Sequence, residues 1–318
     1  MKSVSSFITF FICLYTAAIA QHRSMVVNLI KPYYAYQQSA LANPNVDKLA
    51  LFRQHVLGAD SAFYQQVIGS RDSASLASFL TLVDGNLNGR IRRLEAAFNG
   101  QYAKAMQQIT SRFPIARQFS NKVYVCLSLF SSNGQVRKLN TKYVVYYGLD
   151  VAAYFKAEHD DLLPLIEHEY FHLLQANLNP AVYDQINASF SSADTCPIYV
   201  HLFSEGLATY FPKHLNPSMA LGKALFNDSL ATQCKPIQGQ LAGQLLRVID
   251  SKDKTDLYQF FSIKSEKTTV PDRAAYYIGA EVTRRLLGKG YSYKRLLRLP
   301  PLNMRALVHR ELRAMRDE

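Results

Sequence analysis

The sequence predicts a mainly helical α+β fold, in which a small antiparallel sheet is followed by a helix that carries HEYFH and then by further helices. Three observations support this prediction. Apolar residues recur at helical spacing from Val46 to about Phe113. Two short runs rich in β-branched and aromatic residues follow. The segment LIEHEYFHLLQ at 165–175 then fits a helix embedded in apolar sequence.

The first 20 residues, MKSVSSFITFFICLYTAAIA, predict a secretory signal that is cleaved after Ala20. Lys2 precedes an apolar run from Phe7 to Ala18. A retained membrane anchor is the alternative, although the run is shorter than the ~20 residues that a bilayer span requires. We therefore expect an exported protein, periplasmic or extracellular, without a transmembrane segment after signal removal.

Residues 21–118 are predicted to form a helical N-terminal region, and residues 119–318 a second part with the motif and a basic helical C-terminus. The runs NKVYVCLSLF and KYVVYYGL predict at least two antiparallel strands, with SSNG as the turn signal between them. We expect the strand KYVVYYG to offer an edge to which an extended peptide can pair.

The motif helix is predicted to begin at Asp160 or Asp161, directly after the sheet, with Pro164 tolerated in its first turn, and to end near Leu178. The segment NPAVY stops it.

Two histidines four residues apart are the chemical feature of this helix. His168 and His172 project from one face and can reach a common point, while Glu169 is turned about 100° away from His168. This is the geometry of H-E-x-x-H zinc hydrolases, in which the glutamate reaches the water on the metal. The alternative is a helix with two structural histidines, although the pattern is expected by chance only on the order of 0.01 times per chain.

A catalytic zinc site usually has a third protein ligand. The helix-like stretch YVHLFSEGLATYF offers His201 and Glu205, four residues apart. Glu205 is the better candidate because a glutamate among apolar residues needs a compensating charge, which a cation provides. A partly exposed helix acid is the alternative for Glu205. His201 is left open as a second-shell group, an alternative ligand or a structural residue.

The order of these motifs resembles the gluzincins, the clan of zinc peptidases in which H-E-x-x-H is completed by a glutamate on a following helix. HEYFH is followed by SEGLATYF, whose glutamate lies 33 residues after His172, and then by AAYYIGAEVTRRLL. The pattern is most similar to predicted zinc-dependent proteases with an EGLA third-ligand segment. The resemblance covers about residues 120–290 and implies a zincin-like domain, zinc as the cofactor and a peptide or protein substrate.

Carried over position by position, the resemblance implies that His168, His172 and Glu205 are ligands and that Glu169 is the general base. It also implies that the Tyr276 hydroxyl supports the tetrahedral intermediate.

Two positions qualify this assignment. Thr209 stands four residues after Glu205, where thermolysin-like sequences have an aspartate that orients the first histidine, so that support must come from another group. Tyr277 is the alternative to Tyr276, because adjacent helical residues point in different directions and one of the two is expected in the core.

The expected reaction is metal-assisted hydrolysis of peptide bonds, in which Glu169 takes a proton from water and returns it to the leaving amine. The lack of an evident amine-binding motif favours an endopeptidase over an aminopeptidase. The alternative is a noncatalytic zinc-bearing binding protein of the cell envelope. A nonpeptidase hydrolase or a metal-free helical protein is a further alternative.

The formal charge is +12, and the excess lies late in the chain, where residues 273–318 contain eleven Lys and Arg against four acids. Such a surface favours an anionic envelope surface as a partner, and a solvated basic face is the alternative. No recognised nucleic-acid motif accompanies the charge, so we expect no nucleic-acid partner.

The cysteines predict one cross-link. Cys196 and Cys234 lie in loop-like sequence beside prolines, and we expect a disulfide between them, although spacing alone does not fix the connectivity. Cys126, in the apolar run VYVCLSLF, is expected to be a buried free thiol.

Overall fold

The structure is a computed structural model that describes residues 25–189, 196–264 and 269–318. Within these ranges the chain has a mainly helical α+β fold with one four-stranded sheet, which confirms the predicted class. The predicted signal at 1–20 lies outside the described residues. No helix in the described ranges is long and apolar enough to cross a membrane.

The strands are β1 (Val26–Asn28), β2 (Val123–Cys126), β3 (Gly134–Leu139) and β4 (Lys142–Gly148). The helices are α1 (Ile30–Ala42), α2 (Lys48–His55), α3 (Ser61–Phe63), α4 (Ser73–Leu82), α5 (Asn88–Arg112), α6 (Leu149–Tyr154), α7 (Leu162–Leu178), α8 (Pro180–Ser189), α9 (Ile198–Leu215), α10 (Leu221–Ala224), α11 (Leu230–Cys234), α12 (Gln238–Val248), α13 (Lys254–Phe261), α14 (Ala274–Gly288), α15 (Tyr293–Leu296) and α16 (Pro301–Arg316).

The sheet is mixed and not antiparallel as predicted. Its order is β1-β2-β4-β3, with β2 parallel to both β1 and β4, and with β3 antiparallel to β4. The two predicted strands, β2 and β4, therefore pair in parallel. Both are buried along nearly their whole length. A continuous apolar run of this kind is typical of a parallel strand that is covered on both faces.

The strand β3 completes the sheet, and the sequence pattern does not predict it because GQVRKL is mostly polar. SSNG leads into β3, and the turn to β4 is formed by Asn140 and Thr141, with Asn140 at a φ of 57°. Because β4 is flanked by β2 and β3, it is a central strand. The prediction that KYVVYYG offers an edge is therefore wrong, and the edge strand on this side is β3.

The N-terminal region is mainly helical from Ile30 to Arg112, and it also contributes β1 to the sheet. Val26 of β1 is in register with Val123 of β2. Helix α5 packs against α7, and one hydrophobic cluster extends across the whole described chain. The sequence segments on the two sides of the predicted boundary at 118 thus share a sheet and a core.

The motif helix α7 begins at Leu162, after a 3₁₀ turn that is closed by reciprocal side-chain bonds of Glu158 and Asp161. It ends at Leu178, as predicted. It does not follow the sheet directly, because α6 lies between β4 and α7. Every residue from Leu162 to Ala176 is buried, and α7 contacts β3, β4, α5 and α9. The motif therefore lies at the centre of the fold.

Helices α9 and α14 approach each other closely at Gly206 and Gly279. A Cβ atom on Gly279 would lie 2.7 Å from the carbonyl oxygen of Leu202 and 2.8 Å from Cα of Gly206. Such distances are too short for any side chain, so the two backbones can touch here only because both residues are glycine. This contact holds the N-terminal end of α14 beside the glutamate segment of α9.

The predicted disulfide between Cys196 and Cys234 is not formed, and Cys126, Cys196 and Cys234 are buried thiols. Cys196 lies just before α9, whereas Cys234 is the last residue of α11. Burial raises the pKa of each of these two thiols to about 12. In the folded protein both thiols therefore stay protonated, and a protonated thiol is a poor nucleophile. The expectation for Cys126 as a buried free thiol is confirmed.

Candidate metal centre

Three side chains from two helices bring their donor atoms together in the wall of a cleft. His168 Nε2 and His172 Nε2, both from α7, lie 3.2 Å apart. Glu205 Oε2, from α9, lies 3.4 Å from each of them. Within the described ranges, these three residues form a group of histidine and acidic side chains with converging donor atoms that could hold a metal ion.

The size of this triangle fits metal coordination better than a network of charge-assisted hydrogen bonds. A charge-assisted hydrogen bond between imidazole and carboxylate measures about 2.7–2.9 Å, which is shorter than the distances to Glu205. Two ligands of a tetrahedral zinc ion at about 2.05 Å from the metal lie about 3.3 Å from each other. The three observed separations match this second value, so the donor set and its spacing fit zinc.

The electrostatics of the cluster also favour a cation. Burial lowers the pKa of His168. Burial acts in the same direction on His172, but the charge and hydrogen bonding of Glu205, together with Glu169 and Gln175, outweigh it and raise the pKa of this imidazole. Burial opposes the charge of Glu205, yet His172 and His168 together hold the pKa of its carboxyl well below the usual range. The three groups are therefore arranged to hold a positive charge between them.

Glu169 is buried beside this cluster, and its carboxylate is not one of the three converging donors. It lines the cleft together with His168, His172 and Glu205. Burial raises the pKa of Glu169 to about 7. A carboxyl group with a pKa near neutrality has the proton affinity that general base catalysis requires.

One histidine of the cluster has a hydrogen-bond partner that the sequence analysis missed. His172 Nδ1 donates to Oε1 of Gln175 at 2.7 Å, which leaves Nε2 of His172 to face the other donors. The hydroxyl of Ser204 also donates to Gln175 Oε1 at 3.0 Å, and Gln175 Nε2 donates to the carbonyl oxygen of Ser204. A signal was present in the sequence, because Gln175 lies three residues after His172 on the same helix face.

His168 differs from His172 in this respect. Within the described residues, Nδ1 of His168 and the hydroxyl of Thr209 are both buried without a hydrogen-bond partner. Among the described residues, His172 therefore has a hydrogen-bond partner that orients its ring, and His168 has none at Nδ1.

His201 is not one of the three converging donors, although it lines the same cleft. Its Nε2 lies 3.5 Å from the hydroxyl of Ser189, and its ring packs edge-on against Phe261. Burial lowers the pKa of His201 to about 4, so that the imidazole is neutral near pH 7. Of the three roles left open by the sequence, the geometry favours a structural residue, which lies in the cleft wall.

The two adjacent tyrosines of α14 point to different places. Tyr276 lines the cleft. Tyr277 is buried, and its hydroxyl donates to Oε1 of Gln238 at 2.9 Å. The guanidinium of Arg273 lies over the Tyr276 ring at 4.1 Å from its centroid, and Arg273 also lines the cleft. No motif in the sequence indicates Arg273, which lies just before α14 and three residues before Tyr276.

The cleft above the cluster has a volume of about 430 Å³. One wall is formed by residues 132–136, which include the start of the edge strand β3, and another by α13 and the beginning of α14. Phe226 closes a third side, and its ring packs edge-on against His168 at 5.5 Å between centroids. The sequence contains no periodic signal for Phe226, because it lies in a connection between helices.

The fold and this site define a mainly helical α+β protein with a candidate metal centre in an open cleft. A comparison with protein-family models, with curated proteins and with solved structures finds no match to the chain.

Proposed function

We propose that this chain is a zinc-dependent metallopeptidase of the gluzincin type and that it hydrolyses peptide bonds as an endopeptidase. The observation that carries the proposal is the triangle of His168 Nε2, His172 Nε2 and Glu205 Oε2, whose edges of 3.2–3.4 Å fit tetrahedral zinc. A buried glutamate beside the triangle supplies the other element of a hydrolytic site.

The chain's own residues supply proton transfer and charge stabilisation. Zinc at this centre would supply a water molecule of lowered pKa and a Lewis acid for the scissile carbonyl. Glu169 accepts the proton of the attacking water and gives it to the leaving nitrogen. The Tyr276 hydroxyl and the Arg273 guanidinium line the same cleft, and they donate to the carbonyl oxygen as it becomes negative.

An extended peptide is the proposed substrate because the cleft is bordered by an edge strand. Residues 134–136 of β3 line the cleft, and in the described sheet β3 has a strand neighbour on one side only. Backbone N–H and C=O groups of such a strand can pair with a substrate backbone. A substrate bound in this way is held mainly through its backbone, so its affinity depends little on its side chains.

The first test is metal content. The purified protein should contain one zinc per chain, and Glu205→Ala should lose it while staying folded. His201→Ala is the matched control from the same helix, and it should keep zinc because it is outside the triangle. Full zinc occupancy in Glu205→Ala would exclude Glu205 as a ligand.

The second test separates the base from the ligands. Glu169→Gln should keep zinc and abolish hydrolysis of a peptide library, because an amide cannot accept the proton. Tyr276→Phe should lower kcat by ~10²-fold with little change in zinc content or KM. Tyr277→Phe should leave kcat unchanged and cost stability through its lost bond to Gln238. Loss of kcat in Tyr277→Phe alone would reverse these two roles.

A noncatalytic zinc-bearing protein of the cell envelope is the second candidate. The missing partner of His168 Nδ1 in the described residues favours it, because an efficient catalytic site requires well-oriented metal ligands. It predicts bound zinc without turnover in the wild-type chain.

In either case we propose an exported protein whose basic residues at 273–318 contact an anionic envelope surface.

A further inference from the structure

We propose that Phe226 is a partition that restricts the size of the substrate side chain held next to His168. This inference rests on the proposed peptidase function. Phe226 also lines a second cavity of about 200 Å³, called here the side chamber and lined in part by Ala152, Phe155 and Leu162. The catalytic cleft and the side chamber share three lining residues, namely Asn133, Leu165 and Phe226.

The backbone of Phe226 is in a conformation that glycine normally adopts. Helix α10 ends with two hydrogen bonds, from Phe226 N to the carbonyl oxygen of Lys223 and from Asn227 N to that of Gly222, at 3.2 and 3.0 Å. This is a Schellman motif, and Phe226 occupies its left-handed position with a φ of 53°. Glycine is preferred at that position because any Cβ is strained there. This backbone conformation places a residue whose ring contacts His168 in the wall of the cleft.

A second helix end at the side chamber has the same feature. At the end of α6, Lys156 N bonds to the Ala153 carbonyl and Ala157 N to the Ala152 carbonyl, with Lys156 at a φ of 59°. In the described ranges six non-glycine residues have a positive φ, and three of them, Lys156, Phe226 and Arg273, line the cleft or the side chamber. Clusters of strained backbone are typical of functional sites.

The chemistry of the partition indicates the side chain that it admits. Phe226 and Leu165 present apolar surfaces to the cleft beside His168. The ion pair of Lys223 with Asp161 at 2.8 Å lines the side chamber and is not part of the cleft lining. The wild-type site therefore takes a small or medium apolar side chain at this position. Removal of the ring joins the two cavities, so that a large side chain fits.

The experiment uses Phe226→Gly and Phe226→Ala in the full chain. Both variants remove the ring, whereas only glycine relieves the left-handed backbone, so Phe226→Gly should be the more stable of the two. With peptides that differ at one position next to the scissile bond, the ratio of kcat/KM for tryptophan to that for alanine should rise by at least ~10-fold in both variants. Asn140→Gly is the control, because Asn140 has a left-handed φ of 57° and lies outside both cavities. It should keep the wild-type ratio.

A binding measurement keeps this test independent of turnover. Two zinc-chelating peptide hydroxamates, one with a tryptophan and one with an alanine side chain, are titrated by calorimetry into each zinc-loaded variant. The ratio of their Kd values should shift toward the tryptophan compound in both Phe226 variants and not in Asn140→Gly. A wild-type chain that hydrolyses no peptide would overturn the proposed function, while the hydroxamate ratio would still measure the partition. Unchanged ratios in both Phe226 variants, or no binding of either compound to any variant, would overturn the partition.

Discussion

Gly134 of the edge strand lies directly against Glu169 of the motif helix. A Cβ atom at position 134 would be 2.5 Å from Cγ and 2.9 Å from Cδ of Glu169. Gly134 is also fixed by the sheet, because it pairs with Tyr147 of β4. The side chain of the proposed general base is therefore packed between its own helix and a strand whose position is fixed by its pairing with β4. This packing positions the carboxylate without a dedicated hydrogen bond in the described residues.

We expect Gly134→Ala to displace the Glu169 side chain while leaving the three ligands in place. A displacement of about 1 Å at a catalytic group costs on the order of 10²-fold in rate, so kcat should fall by about that factor while zinc content stays at one per chain. Gly100→Ala is the control, since a Cβ at this glycine of α5 meets no atom within 4 Å. Wild-type kcat in Gly134→Ala would show that Glu169 is not the base or that it tolerates displacement.

The contact of Gly206 with Gly279 gives a second prediction, about stability and geometry together. Gly279→Ala should destabilise the fold by roughly 1–3 kcal/mol, the usual cost of overpacking, because its Cβ would overlap the backbone of α9. It should also lower kcat, since Tyr276 lies one turn before Gly279 on the same helix and its place in the cleft would shift.

Gly288→Ala is the matched control, from the last position of the same helix. A Cβ there meets nothing within 4 Å, so alanine should be neutral or stabilise the protein by up to ~1 kcal/mol. Urea unfolding gives both values. Equal effects of the two substitutions would show that helix propensity, and not the contact between α9 and α14, dominates.

Gln175 gives a third prediction, about metal affinity. Its Oε1 accepts from His172 Nδ1, and loss of such a partner typically costs 10–100-fold in affinity. Gln175→Ala should therefore raise the Kd for zinc by about that range, measured by competition with a chromophoric chelator. Asn177→Ala is the control on the same helix, because Asn177 bonds to Asn121 and Leu173 and not to a histidine. A zinc Kd in Gln175→Ala equal to that of the control would exclude a role in orienting the ligand.

The parts of the fold that could be predicted from sequence are those set by local periodicity. The motif helix and its end at Leu178 follow from apolar spacing and from the segment NPAVY. The prediction of strand direction is wrong because the pairing of β2 with β4 depends on segments that are far away in sequence. One of them is β1 at Val26–Asn28, which pairs with β2. Strand β3 carries too few apolar residues to be recognised, and its position at the edge depends on the completed sheet.

The candidate site divides in the same way. His168, His172 and Glu205 could be proposed from sequence because helical spacing places each side chain on a definite face. Their convergence within 3.4 Å required the packing of α9 on α7. Phe226 and Arg273 could not be found, because a left-handed residue in a connection has no periodic signal. Gln175 could have been found, since it lies on the motif helix itself.

The last prediction concerns Glu167, which precedes the first ligand and faces away from the cleft. Its side chain is fully buried, and both of its oxygens accept from Nδ2 of Asn216, at 3.1 and 3.2 Å. The side-chain oxygen Oδ1 of Asn216 in turn accepts from Gln108 Nε2 at 2.6 Å. Burial raises the pKa of Glu167 to about 8, although the bond from Asn216 opposes this shift. The folded protein therefore binds a proton here that the unfolded chain releases at lower pH.

The sign of the pH dependence follows from this difference. An unfolded glutamate has a pKa of about 4.5, so the contribution of Glu167 to stability is most favourable below that pH, falls as the pH rises to about 8, and is constant above. Glu167→Gln stays neutral at every pH and keeps an acceptor for Asn216. The difference in the free energy of unfolding, variant minus wild type, should therefore increase between pH 5 and pH 8. Urea unfolding at several pH values, with a chelator present so that zinc does not contribute, measures this difference. A difference that is independent of pH would show that Glu167 is ionised in the folded protein at pH 5 and that its bonds to Asn216 outweigh its burial.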